Sequence, residues 1–298
     1  MNIEYIKYFH EVAAMRSISK VANNSHISQP ALSQQIQRLE DLLGHKLLVR
    51  SNKGVELTEP GLIVEKYAKQ LLKTYENMLE DLNAINNNHI AIRIDSSLIL
   101  ATYALPCTLY SVQEKFPKFA FNLSSKPTGD VEQSVLNDTC DVGFIYGKPE
   151  EKELSYAKVG MDRIVVVAAD KFSIPSEIYL KDLINYRFIM LHEKLRDSTE
   201  LNKCLAIRGY DIKDFNVSLT LDSTESVKSA VLKGYGLTFV PYISVKKELY
   251  TKQLKEIKVV DFDMNFDIYL LFKKNHEMNS NVKTFIEYLK KIGEKSFC

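Results

Sequence analysis

The sequence predicts an α + α/β fold: a small helical domain closed by a ribbon, then one long helix, then a two-lobed α/β domain. Three observations predict it. Apolar residues recur at helical spacing over the first 58 residues and end in a turn-rich stretch. One uninterrupted helical pattern runs from Thr58 to about Asn86. From Ile90 onward, short apolar strands alternate with helices.

In the first domain, Ile3, Ile6, Phe9, Val12 and Ala13 place one buried stripe on a first helix. Ser17 caps a short second helix through Ile18, Val21 and Ala22. Ser28 caps a third, with Pro30 in its first turn, Leu32, Ile36, Leu39 and Leu43 on one face, and Gly44 at its end. His45 to Thr58 reads as a two-stranded wing whose turn is Ser51-Asn52-Lys53-Gly54.

In the long helix, Val64, Ala68, Leu71, Tyr75, Met78, Leu82 and Ile85 alternate by four and three, a coiled-coil seam. At about 1.5 Å per residue the helix is on the order of 40 Å long, more than a small domain can cover. A second copy of the chain is the economical partner for such a seam. The polar run Asn86-Asn87-Asn88-His89 then reads as a hinge.

Beyond it, strands at Ile90–Ile94, Phe119–Leu123 and Asp141–Tyr146 are separated by helices near Leu105–Phe116 and Asp130–Leu136, which implies a parallel sheet. The unit repeats with strands at Arg163–Ala168, Phe188–Leu191, Val217–Leu221 and Leu237–Val240, and helices at Ser198–Ala206 and Ser223–Lys233. Strand Ile268–Phe272 and helix Asn281–Ile292 close the chain. The domains expected are 1–58, 59–87 and 88–298, the last with lobe I about 88–161 and 266–298 and lobe II about 162–265. A cleft between α/β lobes is where small ligands bind.

Composition bounds the function. At 45% hydrophobic and 26% charged residues, with 11 Gly and 8 Pro in 298 residues, the chain is an ordinary globular protein. Its net charge of +1 hides a local excess: Arg16, Lys20, Arg38, Lys46, Arg50 and Lys53 face only Glu40 and Asp41 in that stretch, a footprint for a polyanion. Cys107, Cys140, Cys204 and Cys298 are scattered, so neither a metal site nor a disulfide framework is expected. No apolar run approaches the roughly 20 residues that span a bilayer, and a cytoplasmic protein with no membrane partner is expected. The six histidines form no metal motif, and neither a GxSxG elbow nor a phosphate-binding loop occurs, so no enzyme and no cofactor are expected; His192-Glu193 is the one dyad near the predicted cleft.

On the third helix, Gln29, Ser33, Gln34 and Gln37 lie opposite Leu32, Ile36 and Leu39, flanked by Ser28, Pro30 and Arg38. Glutamine pairs with adenine through two hydrogen bonds and serine meets bases or phosphates, so this face suits the major groove of double-stranded DNA. Arg50 and Lys53 on the wing would meet phosphates. In the second lobe, Arg196, Ser198 and Thr199 precede a helix, and Arg196 is suited to a carboxylate.

The runs Ser17-Ile-Ser-Lys-Val-Ala22, His26-Ile-Ser-Gln-Pro-Ala-Leu-Ser-Gln-Gln-Ile-Gln-Arg-Leu-Glu40, Leu43-Gly44, Leu47-Leu-Val-Arg50 and Leu57-Thr-Glu-Pro-Gly61 resemble the signature of LysR-type transcriptional regulators. The resemblance is specific over 1–62 and in order over the rest. It implies a winged helix-turn-helix, a dimerising linker helix, an effector domain related to periplasmic binding proteins, and a homodimer that pairs into a tetramer, with RNA polymerase as a further partner. It also implies that Ser96 and Ser97 after the first strand, and Thr128 in the turn after the second, contact a small-molecule effector, with a small carboxylate or amino acid-like compound as the expected class. Val21, Ser25 and Gln34 depart from the family pattern, and the first two put the domain's core packing in question. Leu98 and Ile99 replace small polar residues beside the effector loop, which favours a less polar ligand or, as the alternative, a ligand-independent DNA-binding regulator of the same fold. Ser223 reads as a helix cap and Gly234-Tyr235-Gly236 as a helix-to-strand joint.

Overall fold

The structure is a computed structural model that describes residues 2–51, 54–86, 89–192, 196–274 and 279–293. The chain divides into two compact units, Met1–His89 with Asn137–Thr139, and the remainder.

The first unit contains helices α1 (Ile3–Met15), α2 (Ile18–Asn24) and α3 (Gln29–Leu43), strands β1 (Leu48–Ser51) and β2 (Gly54–Leu57), and helix α4 (Glu59–Asn86). Asn2, Ser17 and Ser28 cap the first three helices through side-chain oxygens, and Gly44 ends α3 in the left-handed conformation. Val12, Val21, Leu32, Ile36 and Val55 form one core cluster, and Ile6, Phe9, Leu39, Leu47 and Ala68 another. Val21 is therefore fully buried among apolar neighbours, and Ser25 is spent as the C-cap of α2, its N–H donating to the Val21 carbonyl.

The wing strands pair antiparallel from Leu48↔Leu57 to Ser51↔Gly54, and Val55 N–H donates to the Arg16 carbonyl at 3.0 Å, tying the wing to the α1–α2 corner. Thr58 joins wing to linker: its Oγ1 donates to the Lys46 carbonyl at 2.6 Å and accepts from Gly61 N–H at 3.0 Å.

The predicted seam of α4 is corrected at its start. Ala68 is buried and Val64 partly buried against α1 and the wing base, so both belong to the core of this unit. From there on Leu71, Tyr75, Met78 and Leu82 are exposed, joined by Tyr67 and Leu79, which the heptad reading omitted.

The second unit begins with β3 (Ile90–Ser96), a π-helical turn (Leu100–Ala104), α5 (Leu105–Lys115), β4 (Phe119–Ser125), α6 (Thr128–Leu136) and β5 (Val142–Tyr146). There follow β6 (Leu154–Ala169), β7 (Glu177–Ile178), α7 (Leu180–Leu183), β8 (Arg187–Leu191), α8 (Arg196–Ile207), a 3-10 turn (Ile212–Asp214), β9 (Asn216–Leu221) and α9 (Thr224–Leu232). The chain ends with β10 (Thr238–Pro241), α10 (Tyr242–Tyr250), β11 (Leu254–Val259), β12 (Asn265–Lys273) and α11 (Ser280–Ile292).

The sheet order is β4-β3-β5-β12-β6-β11-β7, with β10 beside β6 and β8–β9 a separate pair. The expected parallel pairing holds for β4-β3-β5 and for β8–β9, and β11 pairs parallel with β7, whereas β6 pairs antiparallel with β10, β11 and β12, and β12 with β5. Strand β6 runs through both lobes. Its first part pairs with β12 from Lys273↔Leu154 to Asn265↔Arg163, and its second with β10 and β11 from Pro241↔Ile164 to Leu254↔Ala169.

Partners change at Asp162 and Arg163, where a buried carboxylate holds three donors. Tyr146 Oη donates to Asp162 Oδ2 at 2.7 Å, and the N–H groups of Arg163 and Ile243 donate to Oδ1 at 2.8 and 3.3 Å. Burial pushes this carboxyl above the usual range, opposed by those hydrogen bonds. A second tie joins the lobes on the surface. Tyr103 Oη in the π-helical turn donates to Glu225 Oε1 on α9 at 2.5 Å, and Lys228 Nζ lies 3.0 Å from Glu225, 2.9 Å from Glu248 and 5.0 Å from the Tyr103 ring centroid. Among the described residues no helix is long and apolar enough to cross a membrane.

Two predictions follow from these joints. Alanine in place of an exposed helical glycine normally gains up to about 1 kcal/mol. At Gly61 a Cβ would instead sit 2.1 Å from the Leu47 carbonyl oxygen, so Gly61→Ala is expected to lower the melting temperature of the full chain; an unchanged or higher midpoint would show that the wing base yields.

The Tyr103 hydroxyl holds the Glu225 carboxyl below its ordinary value, aided by Lys228 and opposed by partial desolvation. A depressed carboxyl stabilises the fold above its unfolded pKa and loses that contribution as pH falls through its folded pKa. Tyr103→Phe is therefore expected to melt below the parent at neutral pH and to converge with it in acid, and a gap that stays constant across the acid range contradicts this.

Candidate functional site

Helix α3 presents Ser28, Gln29, Pro30, Gln34, Gln37 and Arg38 exposed, with Ser33 half-buried. Ser28 Oγ accepts from Ala31 N–H at 3.3 Å as the cap. Ser19 Oγ on α2 donates to Gln29 Oε1 at 2.9 Å, which orients the amide while leaving both N–H donors and a second lone pair for a base edge. Arg38 donates to Tyr5 Oη at 3.5 Å, which draws it toward α1. Arg50 lies on β1, but its side chain is outside the described residues, as is all of Lys53.

The residue that fixes this face against the wing is Glu40, absent from the sequence-based assignment. Its carboxylate is buried, accepts from the N–H groups of Leu47 and Leu48 at 2.8 and 3.3 Å, and meets Lys46 Nζ at 2.6 Å. An acidic residue on the apolar side of a helix next to a strand is the only signal for it in the sequence.

In the second unit, Ser96 and Ser97 lie at the end of β3, before the π-helical turn. Ser96 is fully buried, its Oγ donating to the Ser97 carbonyl at 3.2 Å. Ser97 N–H donates to the Phe144 carbonyl at 3.0 Å, and its buried Oγ has no partner among the described residues. An orphaned buried hydroxyl is costly unless a ligand or water satisfies it. Thr128 is half-buried as the first residue of α6, so the helix starts earlier than the expected turn.

A charged pair missed in the sequence reading laces these ends. Lys126 Nζ meets the buried Asp95 carboxylate at 2.6 Å and Ser134 Oγ at 2.8 Å, and Lys126 N–H donates to the Ser96 carbonyl at 2.9 Å. In sequence, Lys126-Pro127-Thr128-Gly129 reads only as a turn. Cys140, behind Asp95, is buried, and burial pushes its thiol up, away from reactivity.

In the other lobe, Arg196, Ser198 and Thr199 fall within α8 rather than before it, and their side chains are outside the described residues. Glu193 of the His192-Glu193 dyad is also outside them, while His192 N–H donates to the Leu221 carbonyl at 2.7 Å. Ser223 caps α9 through Ser226 N–H at 3.2 Å. A Cβ on Gly236 would lie 2.4 Å from the Arg187 carbonyl oxygen, so the Gly234–Gly236 joint can approach the start of β8 this closely only with glycine there.

Next to these elements is a cavity of about 400 Å³ between α8, α9 and strands β8, β9 and β10, with Ile99 at its lobe I side and Met190, Leu201, Thr224, Phe239 and Pro241 among its walls. Ile99 is buried there while Leu98 is exposed, and Ser96, Ser97 and Thr128 do not line it.

Two family models match the chain: "Bacterial regulatory helix-turn-helix protein, lysR family" over 3–62 and "LysR substrate binding domain" over 88–293. A probable RuBisCO transcriptional regulator of Porphyra purpurea is 30% identical over 254 residues, covering 83% of this chain and 80% of its own. The crystal structure of CbnR, a LysR family transcriptional regulator, aligns with a TM-score of 0.80 at 19% identity over 98% of this chain and 99% of its own, and CbnR complexed with its target DNA aligns at 0.77. The regulatory domain of Synechocystis PCC6803 CcmR in complex with 2-PG aligns at 0.60, with 19% identity over 68% of this chain and 97% of that domain. With both models matched in order on a winged helix-turn-helix and a two-lobed α/β domain, the chain belongs to the LysR family and is a DNA-binding transcriptional regulator with an effector-binding domain.

Proposed function

We propose that this regulator reads a dyad-related operator as a cytoplasmic homodimer, and as a pair of dimers in its full assembly, with RNA polymerase as the later partner. Residues 1–58 form the reading head, 59–87 the dimerisation helix and 88–298 the sensor, the two lobes dividing near 162 and 265. Gln29, Ser33, Gln34 and Gln37 contact base edges, Ser28, Pro30 and Arg38 flank them, and Arg50 and Lys53 meet phosphates. The observation that carries this reading is the exposed amide row of α3, braced by Ser19 and, through Glu40, by the wing. The exposed stripe of α4 supports self-association, because a solvated helix rarely presents so many large apolar side chains in register.

The sensor reading places a small molecule against Ser96, Ser97 and Thr128 from one lobe and Arg196, Ser198 and Thr199 from the other. The unsatisfied Ser97 hydroxyl supports it, and the CcmR regulatory domain in complex with 2-PG is a precedent for a bound small molecule on this fold. A ligand that favours the closed lobes shifts the population toward them.

Gln29→Ala is expected to weaken operator binding by about 1–3 kcal/mol while leaving binding to random DNA unchanged. Equal losses on both would contradict the recognition face. Arg50→Ala should weaken all sequences alike and lower the slope of affinity against salt, measured by titration at several salt concentrations; a sequence-selective loss places Arg50 on a base instead. Leu71→Glu combined with Met78→Glu should shift the sedimenting species toward monomer, whereas an unchanged oligomer would assign association elsewhere.

A further inference from the structure

The wall chemistry of the lobe II cavity separates it from the serine-rich end of β3. Its volume of about 400 Å³ falls at the small end of the range for small-molecule sites. Its lining is aliphatic and aromatic apart from Asn202, Lys213, Thr220 and Thr224, and among the described residues the only formal charge is that of Lys213. Lys213 is exposed, and a lysine at a rim covers apolar surface with its stem and keeps the ammonium in water. At the neighbouring start of α9, Ser223 accepts from Ser226 N–H, and Glu225 puts a carboxylate in the first turn. A further anion would meet Glu225 rather than a free helix end. An ionised ligand group buried here without a partner is costly, whereas a hydroxyl or amide can pair with Thr224 or Asn202.

We infer that the lobe II cavity takes a neutral, largely apolar small molecule bearing one hydrogen-bonding group, an uncharged aromatic or aliphatic compound, at a place apart from the one proposed against Ser96, Ser97 and Thr128. This inference rests on the reading of the second unit as a sensor. Thr224 takes the polar group, and the apolar body lies along Val227 and Phe239 beneath α8.

The test is a thermal-shift and operator-affinity titration of the full chain with matched probes: 1-octanol against octanoate, and indole against indole-3-carboxylate. The neutral member of each pair is expected to raise the melting temperature with dose and to bind about tenfold or more tightly than its acid. Val227→Phe, which fills the cavity, should abolish the shift while operator binding shows that the chain still folds. Thr224→Val, which keeps the shape and removes the hydroxyl, should weaken 1-octanol about fivefold, the scale of one hydrogen bond. Neutral shifts with unaltered operator affinity uphold the ligand class and sever it from regulation. A stronger response to the acids, lost in Ser97→Ala and kept in Val227→Phe, overturns the inference while leaving the sensor reading intact. No shift from any neutral probe up to its solubility limit overturns it outright.

Discussion

The second unit depends on one continuous strand shared between two lobes. Strand β6 pairs with β12 on one side of Arg163 and with β10 and β11 on the other, so one strand serves both lobes without a break. Asp162 sits where the partners change and collects hydrogen bonds from β5, from its own strand and from the start of α10. The cost of burying its charge is offset only while all three donors remain in place. Lobe movement that withdrew Tyr146 or Ile243 would leave that carboxylate under-solvated, so the crossover holds the lobes to a narrow set of arrangements.

The first unit uses the same device on a smaller scale. Glu40 points a carboxylate from the inner side of α3 at the backbone of the wing base, and Thr58 bonds both that base and the start of α4. Helix α3, wing and α4 are thus tied by charged or hydroxyl side chains to backbone groups, which fix orientation more tightly than apolar contact does. A reading head needs that rigidity, since a base contact discriminates only if the amide arrives in a defined pose.

Much of this was legible in the sequence where periodicity and capping agreed. Ser17, Ser28 and Gly44 bound their helices as expected, and the strands from Ile90 to Tyr146 fell in place because their apolar runs are clean. The first half of β6 was not legible, because Lys158 and Asp162 interrupt the alternation for reasons that lie across the sheet: Lys158 pairs with Asp267 at 2.7 Å, and Asp162 accepts from Tyr146 at 2.7 Å. Helix α10 was missed because it starts directly after Pro241, with no side-chain cap. The seam of α4 was half right, since a heptad pattern shows that a stripe is apolar but not which of its turns the same chain covers. Of the proposed site residues, Gln29 was picked out by its type and spacing and Ser97 only by the resemblance, while Glu40, Asp95 and Lys126 act through tertiary partners that no local window contains.

Helix α9 links the cavity to the interlobe contact. Thr224 and Val227 line the cavity, and Glu225 and Lys228, each one residue further along, reach Tyr103 across the lobes. At helical spacing these pairs occupy adjacent stripes of one rigid rod, so a displacement of the first is a displacement of the second. Glu248 on α10 shares Lys228, which carries the constraint on to the element whose Ile243 N–H meets Asp162. On the inference drawn above, a molecule beneath α8 rests on the same helix that carries Glu225 to Tyr103, and it can alter that contact only through a differential affinity for the arrangements α9 adopts.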